Sequence, residues 1–415
     1  MNQYPFSQNR WFKILFSLFF LGILLFSRDT LLTLNILGFP LSQLLTVLLF
    51  LGAGILFLFC RRSQLKQILT DRRMLLMLFS AVLMLVPMIL KRDWQLMYLS
   101  ILFYILAGIF LSYFLDIRTA ARYYVTILSV LSVYSVLCTY VLRILPDRGI
   151  LSVPVFVNSK GFSFYNFGLA QVSIDYVSKR NFGIFREPGV YQFFLLLGLY
   201  LNNYRADWEK NRQLWTINLC LAFSMLTTFA TGGVIEMGLL AIFLFFDKKW
   251  YRQRKARLAA YGLILLDIAG AAWILLTKNS LYVEFMGMIT KFGSEESGAS
   301  RFDAIFTDLQ IFLKHPLLGD TVKNVLHVVE NNTTTTMVSY AMLGILGGSL
   351  HVAGWAALSW DRERGVISNL FLLLILFMSF NTQNLSWNLI FWLFPMLALA
   401  ERVLPLLQNA KKKRT

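Results

Sequence analysis

Residues 181–200 read NFGIFREPGVYQFFLLLGLY, and this stretch determines how the rest of the chain is interpreted. A polar loop that carries Arg180, Arg186 and Glu187 runs directly into a long apolar segment. Pro188 stands at the join, and proline is favoured at the first position of a helix because its missing N–H would be unpaired there anyway. The pattern predicts a helix that begins at Pro188 and holds an arginine and a glutamate where water meets hydrocarbon.

The composition predicts an all-α membrane protein. The chain has 415 residues, of which 57% are hydrophobic, and its mean hydropathy is +0.61, whereas a soluble domain is about 45–50% apolar. Many separate apolar runs of about 20 residues fit helices that cross the hydrocarbon, while barrel strands are about 10 residues long and alternate. Residues 11–27 lack a small-residue cleavage site, so the first run predicts a retained helix and not a signal peptide.

Hydropathy predicts about twelve transmembrane helices in a single integral membrane domain, residues 1–415. Lysine and arginine cluster in the loops after the second, fourth, sixth, eighth and tenth spans and in the C-terminal tail. Because cytoplasmic loops are enriched in these residues, both termini are predicted to be cytoplasmic. The predicted spans are 11–27, 36–60, 74–90, 95–115, 122–145, 188–204, 214–230, 232–247, 258–277, 337–358, 366–381 and 385–401.

Two long loops then fall on the outer side, residues 146–187 and 278–336, and both are expected to be ordered and to contain short helices. In the second loop, Ser300 and Asp303 match a capping box and Pro316 ends a run of helical spacing, which predicts an amphipathic helix over residues 301–314. This helix is expected to lie along the membrane surface or across the bundle mouth, although the pattern also fits a core helix of a small outer domain. Its polar positions are Arg301, Asp303, Asp308 and Gln310.

The cations of the two outer loops are informative, since the positive-inside pattern does not require them there. Arg186 and Arg301 each stand at a predicted helix start at the membrane surface. Arginine presents a rigid fork of donors that matches phosphate oxygens. These residues predict a site for a membrane-anchored phosphate or diphosphate, and the alternative is that they are solvated charges paired with nearby carboxylates.

Other classes of site are not indicated. The net charge of +17 would suit nucleic acid in a soluble protein, but many of the positive charges sit in short loops between apolar runs, so no nucleic-acid partner is predicted. No metal and no cofactor are predicted, because neither the histidines nor the cysteines have metal-ligand spacing. These residues are His315, His327, His351, Cys60, Cys138 and Cys220.

Two acidic residues fall within predicted spans. Glu236 lies one turn below the tight turn at residues 230–233, and Asp267 lies nearer the middle of the ninth span. Ionisable groups at such depth are costly and usually face the bundle interior or a cavity. Each is therefore either a functional group or a structural partner of a neighbouring charge.

Two motifs resemble those of a known family. Residues 180–188 read R-x-x-G-x-F-x-E-P, which resembles the signature of bacterial polysaccharide polymerases of the Wzy type. Residues 301–319, which end in HPLLG, resemble a second motif that O-antigen polymerases share with O-antigen ligases. The ligases have a His-Asn pair before a Gly-x-x-Gly helix, but Thr333 and Thr334 hold those positions here. This departure favours a polymerase over a ligase.

The resemblance implies a polytopic protein of the bacterial inner (cytoplasmic) membrane that performs metal-independent glycosyl transfer on the outer face. Its substrates would be a donor and an acceptor oligosaccharide, each linked to undecaprenyl diphosphate, and a chain-length regulator is a possible partner besides membrane lipids. The expected catalytic residues are Arg186, Glu187, Arg301 and His327. The expected diphosphate-binding residues are Arg180, Arg186, Arg301 and Lys323.

Two alternatives stay open at this point. One is an O-antigen ligase, and the other is a transporter or flippase of lipid-linked sugars, which would also have twelve spans. Transporters often show internal repeats with broken helices at matched positions of the two halves. The first five spans have short loops and both long loops come later, so no such match is visible, and the sequence favours an enzyme.

Overall fold

The fold is predominantly helical, as the composition predicts. The computed structural model describes residues 10–30, 32–33, 38–60, 71–157, 162–174, 180–254, 258, 272–273, 276–277, 295–328 and 334–412. The helices are α1 (Arg10–Leu25), α2 (Phe39–Cys60), α3 (Arg72–Leu90), α4 (Leu96–Leu111), α5 (Ile117–Leu137), α6 (Ile144–Asp147), α7 (Pro188–Tyr204), α8 (Asn211–Thr227), α9 (Thr231–Asp247), α10 (Glu295–Lys314), α11 (Val322–Val328), α12 (Thr336–Ser359), α13 (Val366–Phe380) and α14 (Leu389–Lys412).

Every predicted span except the ninth overlaps one of these helices. The ninth span, with Asp267, lies almost wholly outside the described residues. Within the described part, three helices are long and apolar enough to cross a membrane: α3, α12 and the continuous run of α5 and α6 through the π-helical turn Cys138–Leu142. The exposed faces carry large apolar side chains such as Leu75 and Ile367, which suits lipid as the surrounding solvent. The number of spans stays a prediction.

The helix predicted to begin at Pro188 lies at the centre of the bundle. Residues from Val190 to Asn202 are all buried, and α7 packs against α5, α8, α9 and α13. A helix that is apolar on every side is expected to be buried in this way. The start of α7 is therefore fixed by its neighbours, and the residues just before it are held in a defined place.

The first long loop differs from the expectation of short helices alone, because it contains a small antiparallel sheet. The strands are β1 (Val155–Val157), β2 (Ser163–Asn166) and β3 (Gln171–Ser173), in the order β1-β2-β3. Phe156 pairs with Phe164 across β1 and β2, and their rings stack with centroids 5.3 Å apart. The backbone N–H of Gln171 donates to the carbonyl of Gly183 at 3.1 Å, which ties the sheet to the segment before α7.

The helix of the second loop is present but differs in two respects from the prediction. It begins at Glu295 and not at 301, so Ser300 lies inside the helix and does not cap it. Asp308, predicted on the polar face, is fully buried and accepts a hydrogen bond from the hydroxyl of Thr334 at 2.9 Å. Because α10 packs against α12, it buries this side, while Phe306 stays exposed.

The helix ends fall into two groups, as an alternating bundle requires. At one end, Arg118 pairs with Asp207 at 2.9 Å, and Arg364 pairs with Asp247 at 3.2 Å. These four residues belong to loops or helix ends after the fourth, sixth, tenth and eighth predicted spans. The loops after the first and third spans meet the segments around α7 and α10 at the opposite end. Which group faces the cytoplasm stays a prediction.

Candidate functional site

The site is built at the start of α7. Glu187 has an extended backbone with φ −146° and ψ 145°, and Pro188 is the first helical residue, as the sequence predicts. The extended segment before it forms an antiparallel bridge between Phe185 and Thr30, which follows the end of α1. The backbone N–H of Arg186 donates to the carbonyl of Asp29 at 3.0 Å. The chain before α7 is thus fixed to the chain after α1.

The guanidinium of Arg186 is oriented by a buried carboxylate. Its Nε donates to Oδ1 of Asp29 at 3.1 Å, and the Asp29 side chain is only 9% exposed. The second oxygen of Asp29 accepts from the amide of Asn388 at 2.9 Å, and the same amide donates to the hydroxyl of Ser27 at 2.7 Å. Segments from the beginning, middle and end of the chain therefore hold one arginine.

A second carboxylate touches the other edge of the same guanidinium. Oε1 of Glu187 lies 3.4 Å from Nη1 of Arg186, near the outer limit of a hydrogen bond, and the Glu187 side chain is 39% exposed. Among the described residues, none accepts a hydrogen bond from Nη2 of Arg186, and its side chain is 35% exposed. Asp29 thus holds one edge firmly, while the Nη edge of this partly exposed side chain has Glu187 as a loosely held partner.

A further cation, Arg28, directly precedes Asp29 in the chain. The guanidinium carbon of Arg28 lies 4.1 Å from the centroid of the Trp387 ring, which is a cation–π contact. Burial lowers the pKa of Arg28, while the charge of Asp29 raises it and the charge of Arg186 lowers it again. Sequence reasoning missed Arg28 and Asp29. The available signal was an arginine after the first span, where the positive-inside pattern does not require a cation.

The loop between α13 and α14, which reads NTQNLSWN over residues 381–388, supplies most of the remaining polar contacts. The side chain of Gln192 on α7 donates to the hydroxyl of Thr382 at 3.0 Å and accepts from the backbone N–H of Gly233 at 2.8 Å. The hydroxyl of Thr335 donates to the carbonyls of Phe380 and Gln383. This loop joins the starts of α7, α9 and α12 beneath the site.

The first residues of the R-x-x-G motif attach the chain to the end of α8. Nε of Arg180 donates to the carbonyl of Thr228 at 2.9 Å, at the end of α8. The buried amide of Asn181 donates to the hydroxyl of Thr227 at 3.0 Å. Gly183 has φ +58°, and a β-carbon there would meet the ring of Tyr191 at 2.7 Å. These contacts fix the course of the chain toward Arg186.

The second motif also has a structural role at its end. Gly319 has φ +72° and packs backbone against backbone with Gly344, which interrupts the helical backbone of α12 at φ 64° and ψ −169°. Nζ of Lys91 donates to three carbonyls around this crossing, those of Leu318, Asp320 and Met342. Burial lowers the pKa of Lys91 to about 8, against the charges of Asp93 and Asp320, which raise it. His315 Nε2 lies 3.9 Å from Asp320.

The other predicted site residues are not brought to Arg186 by any described contact. Lys323 and His327 are exposed on α11. The backbone of Arg301 lies in α10, and its side chain is outside the described part of the chain, as is all of Thr333. Glu236 is buried on α9, 1% exposed. In the described ranges, no three or more His, Cys, Asp and Glu side chains form a group that could hold a metal ion.

The arrangement around Arg186 suits an anion at this end of the bundle. Arg186 presents donors that are already oriented, Arg28 adds a second positive charge, and the exposed carboxylate of Glu187 is able to accept a proton. Comparisons of the chain with known protein families, with curated proteins and with solved structures found no match.

Proposed function

We propose that the protein is a polysaccharide polymerase of the bacterial inner membrane, which joins oligosaccharide repeat units carried on undecaprenyl diphosphate. One observation carries the proposal: Arg186, just before the central helix, is oriented by the buried Asp29, and its side chain stays 35% exposed. Transfer of a glycan from a lipid diphosphate generates negative charge on the leaving group, and a preoriented arginine stabilises such charge.

The proposed step forms one glycosidic bond and breaks one bond to phosphate. A hydroxyl of the acceptor sugar attacks the anomeric carbon of the donor, and undecaprenyl diphosphate leaves with the bonding electrons. The hydroxyl proton passes to a base, for which the exposed carboxylate of Glu187 is our candidate. Arg186 binds the diphosphate, and Arg301 is retained as a further diphosphate-binding residue. Arg180 and Lys323 are retained as outer cations that contribute to attraction of the anion.

A reconstitution experiment tests this function. The full chain in lipid vesicles is given only the undecaprenyl-diphosphate-linked repeat unit, and the products are separated by size. We expect a ladder of multiples that Arg186→Ala abolishes. Movement of the lipid-linked sugar between leaflets without any ladder would replace the polymerase with a transporter. In a parallel reaction that also contains lipid A core, transfer of single units to the core without multiples would replace it with a ligase.

A further inference from the structure

The loop after α1 places a second arginine, Arg28, next to the aspartate that holds Arg186. Asp29 binds Arg186, and the guanidinium of Arg28 lies over the ring of Trp387. Asp29 is occupied by Arg186 and Asn388, so its carboxylate is fully engaged in positioning. Trp387 is followed by Asn388, whose amide donates to Asp29, so the ring under Arg28 adjoins the residues that hold Arg186.

We propose that Arg28 and Arg186 form a two-arginine site for a diphosphate, with Asp29 as the residue that positions Arg186. The assignment rests on the proposed function only for the identity of the lipid, since the site itself requires a diphosphate of any source. Trp387 supports the guanidinium of Arg28 from one face, as Asp29 supports that of Arg186 from its Nε edge. A diphosphate has two phosphoryl groups, and each arginine binds one of them.

The two carboxylates of the cluster hold Arg186 unequally. Two arginines and two carboxylates, Asp29 and Glu187, give the cluster a formal charge of zero. Asp29 is buried and doubly hydrogen-bonded, whereas Glu187 is exposed and 3.4 Å from Nη1 of Arg186. An incoming diphosphate displaces the weaker partner, so Glu187 leaves Arg186 when the anion binds. Displacement frees its carboxylate beside the bound diphosphate, where it serves as the proposed base.

The chain offers a matched control in the next loop on the same side. Arg92 and Asp93 follow α3 in the same order as Arg28 and Asp29 follow α1. Asp93 is equally buried, 7% against 6% for Asp29, but it accepts from the backbone N–H of Val322 at 2.6 Å and not from an arginine. Arg92 is exposed to solvent. Substitutions in this second pair change the same charges without changing the proposed site.

Binding to the full chain in lipid nanodiscs tests the site separately from turnover. The probes are undecaprenyl diphosphate, undecaprenol and inorganic pyrophosphate, measured by calorimetry. We expect Arg28→Gln and Arg186→Gln each to weaken binding of undecaprenyl diphosphate by about tenfold to a hundredfold, as for lost charged hydrogen bonds, and Arg92→Gln to change it by less than about twofold. Glu187→Gln should tighten binding, since it removes the competing carboxylate.

Substitutions of the two aspartates distinguish the positioning of Arg186 from a general effect on folding. Asp29→Asn and Asp93→Asn should both lower the melting temperature, but only Asp29→Asn should weaken the binding of undecaprenyl diphosphate. Wild-type binding in Arg28→Gln, or no binding of any diphosphate to the wild type, overturns the two-arginine site. Equal affinity for pyrophosphate and the lipid assigns the site to a free anion. If Arg28→Gln makes the product ladder in wild-type yield, the protein is a polymerase but the two-arginine site is wrong. If binding depends on Arg28 and no ladder forms, the site is right but the protein is not a polymerase.

Discussion

At the residue scale, Arg186 uses the two edges of one guanidinium for two purposes. Nε binds Asp29, and the Nη edge has Glu187 as a weak partner at 3.4 Å. A lysine has a single ammonium group and cannot present a planar fork in this way. We therefore expect Arg186→Lys to keep the fold and to lose most of the polymer-forming activity, measured as ladder yield alongside the melting temperature.

Arg180→Lys is the control for that substitution. Nε of Arg180 donates to the carbonyl of Thr228 at 2.9 Å, and a lysine ammonium is able to replace this hydrogen bond. Activity in Arg180→Lys should stay within about threefold of the wild type, about 0.7 kcal/mol. Wild-type rates in Arg186→Lys, or equal losses in both variants, would show that the fork at position 186 has no special role.

Thr334 contributes to stability and not to the proposed transfer. Its hydroxyl donates to Oδ2 of Asp308 at 2.9 Å, and both side chains are fully buried. Thr334→Val keeps the shape of the side chain and removes the donor to a carboxylate, which costs about 1–3 kcal/mol. We expect a lower melting temperature in detergent with a mild effect on the rate per folded molecule. A stable variant without activity would place the acceptor sugar near this residue.

At the element scale, the crossing of Gly319 and Gly344 fixes α12 against the link between α10 and α11. A β-carbon on Gly344 would lie 2.2 Å from the carbonyl oxygen of Leu317, so the backbones have to separate. Gly344→Ala should cost about 1–3 kcal/mol from the positive φ alone, and more from the clash. Gly52→Ala is the control, since nothing lies within 4 Å there and alanine favours a helix by roughly 0.5–1 kcal/mol. Thermal unfolding in detergent should show a lower melting temperature than the wild type for Gly344→Ala only.

Lys91, which binds the carbonyls of this crossing, makes stability depend on pH. Burial lowers its pKa from 10.5 to about 8 in the folded protein, so between these values the unfolded chain binds the proton and the folded chain does not. Stability contributed by this group therefore rises as the pH increases from about 8 toward 10.5. The difference in melting temperature between wild type and Lys91→Met should grow over that range. A constant difference from pH 7 to pH 10 would contradict this.

Local signals predicted some elements and could not predict others. Pro188 marked the start of α7 because its effect on the backbone depends on neighbouring residues only. The start of α10 was placed at 301, since Ser300 and Asp303 match a cap, but the helix continues back to Glu295. The strands β1 and β3 have three residues each and depend on pairing within the first long loop, so no run of sequence indicated them.

The site itself was only partly visible for the same reason. Arg186 and Glu187 were found because they adjoin a recognisable helix start. The contacts of Arg186 with Asp29 and of Asp29 with Asn388 join residues 157 and 359 positions apart, and no local pattern reports such distances. The buried Asp308 was assigned to a polar face, since periodicity shows which residues share a side but not which neighbour covers it.

At the scale of the whole molecule, the two groups of helix ends predict which surfaces a membrane-impermeant reagent reaches. In a chain without its three native cysteines, Ser152→Cys in the sheet-containing loop and Arg212→Cys at the start of α8 are both exposed. With both termini cytoplasmic, an impermeant maleimide added to intact cells should label Ser152→Cys and should label Arg212→Cys only after permeabilisation. The reverse pattern would invert the orientation, and labelling of both in intact cells would reject the alternating arrangement.

The hydrogen bond between Asp29 and Asn388 also sets an order of events during synthesis. A ribosome that adds about 5–20 residues per second needs about 20–70 s to pass from one to the other, since they lie 359 positions apart. Arg186 emerges midway, when Asp29 is present but the loop at residues 381–388 has not been made. The nascent chain therefore contains every helix around α7 up to that loop before its arginine is fully held. The proposed centre is completed only as the last helical hairpin inserts.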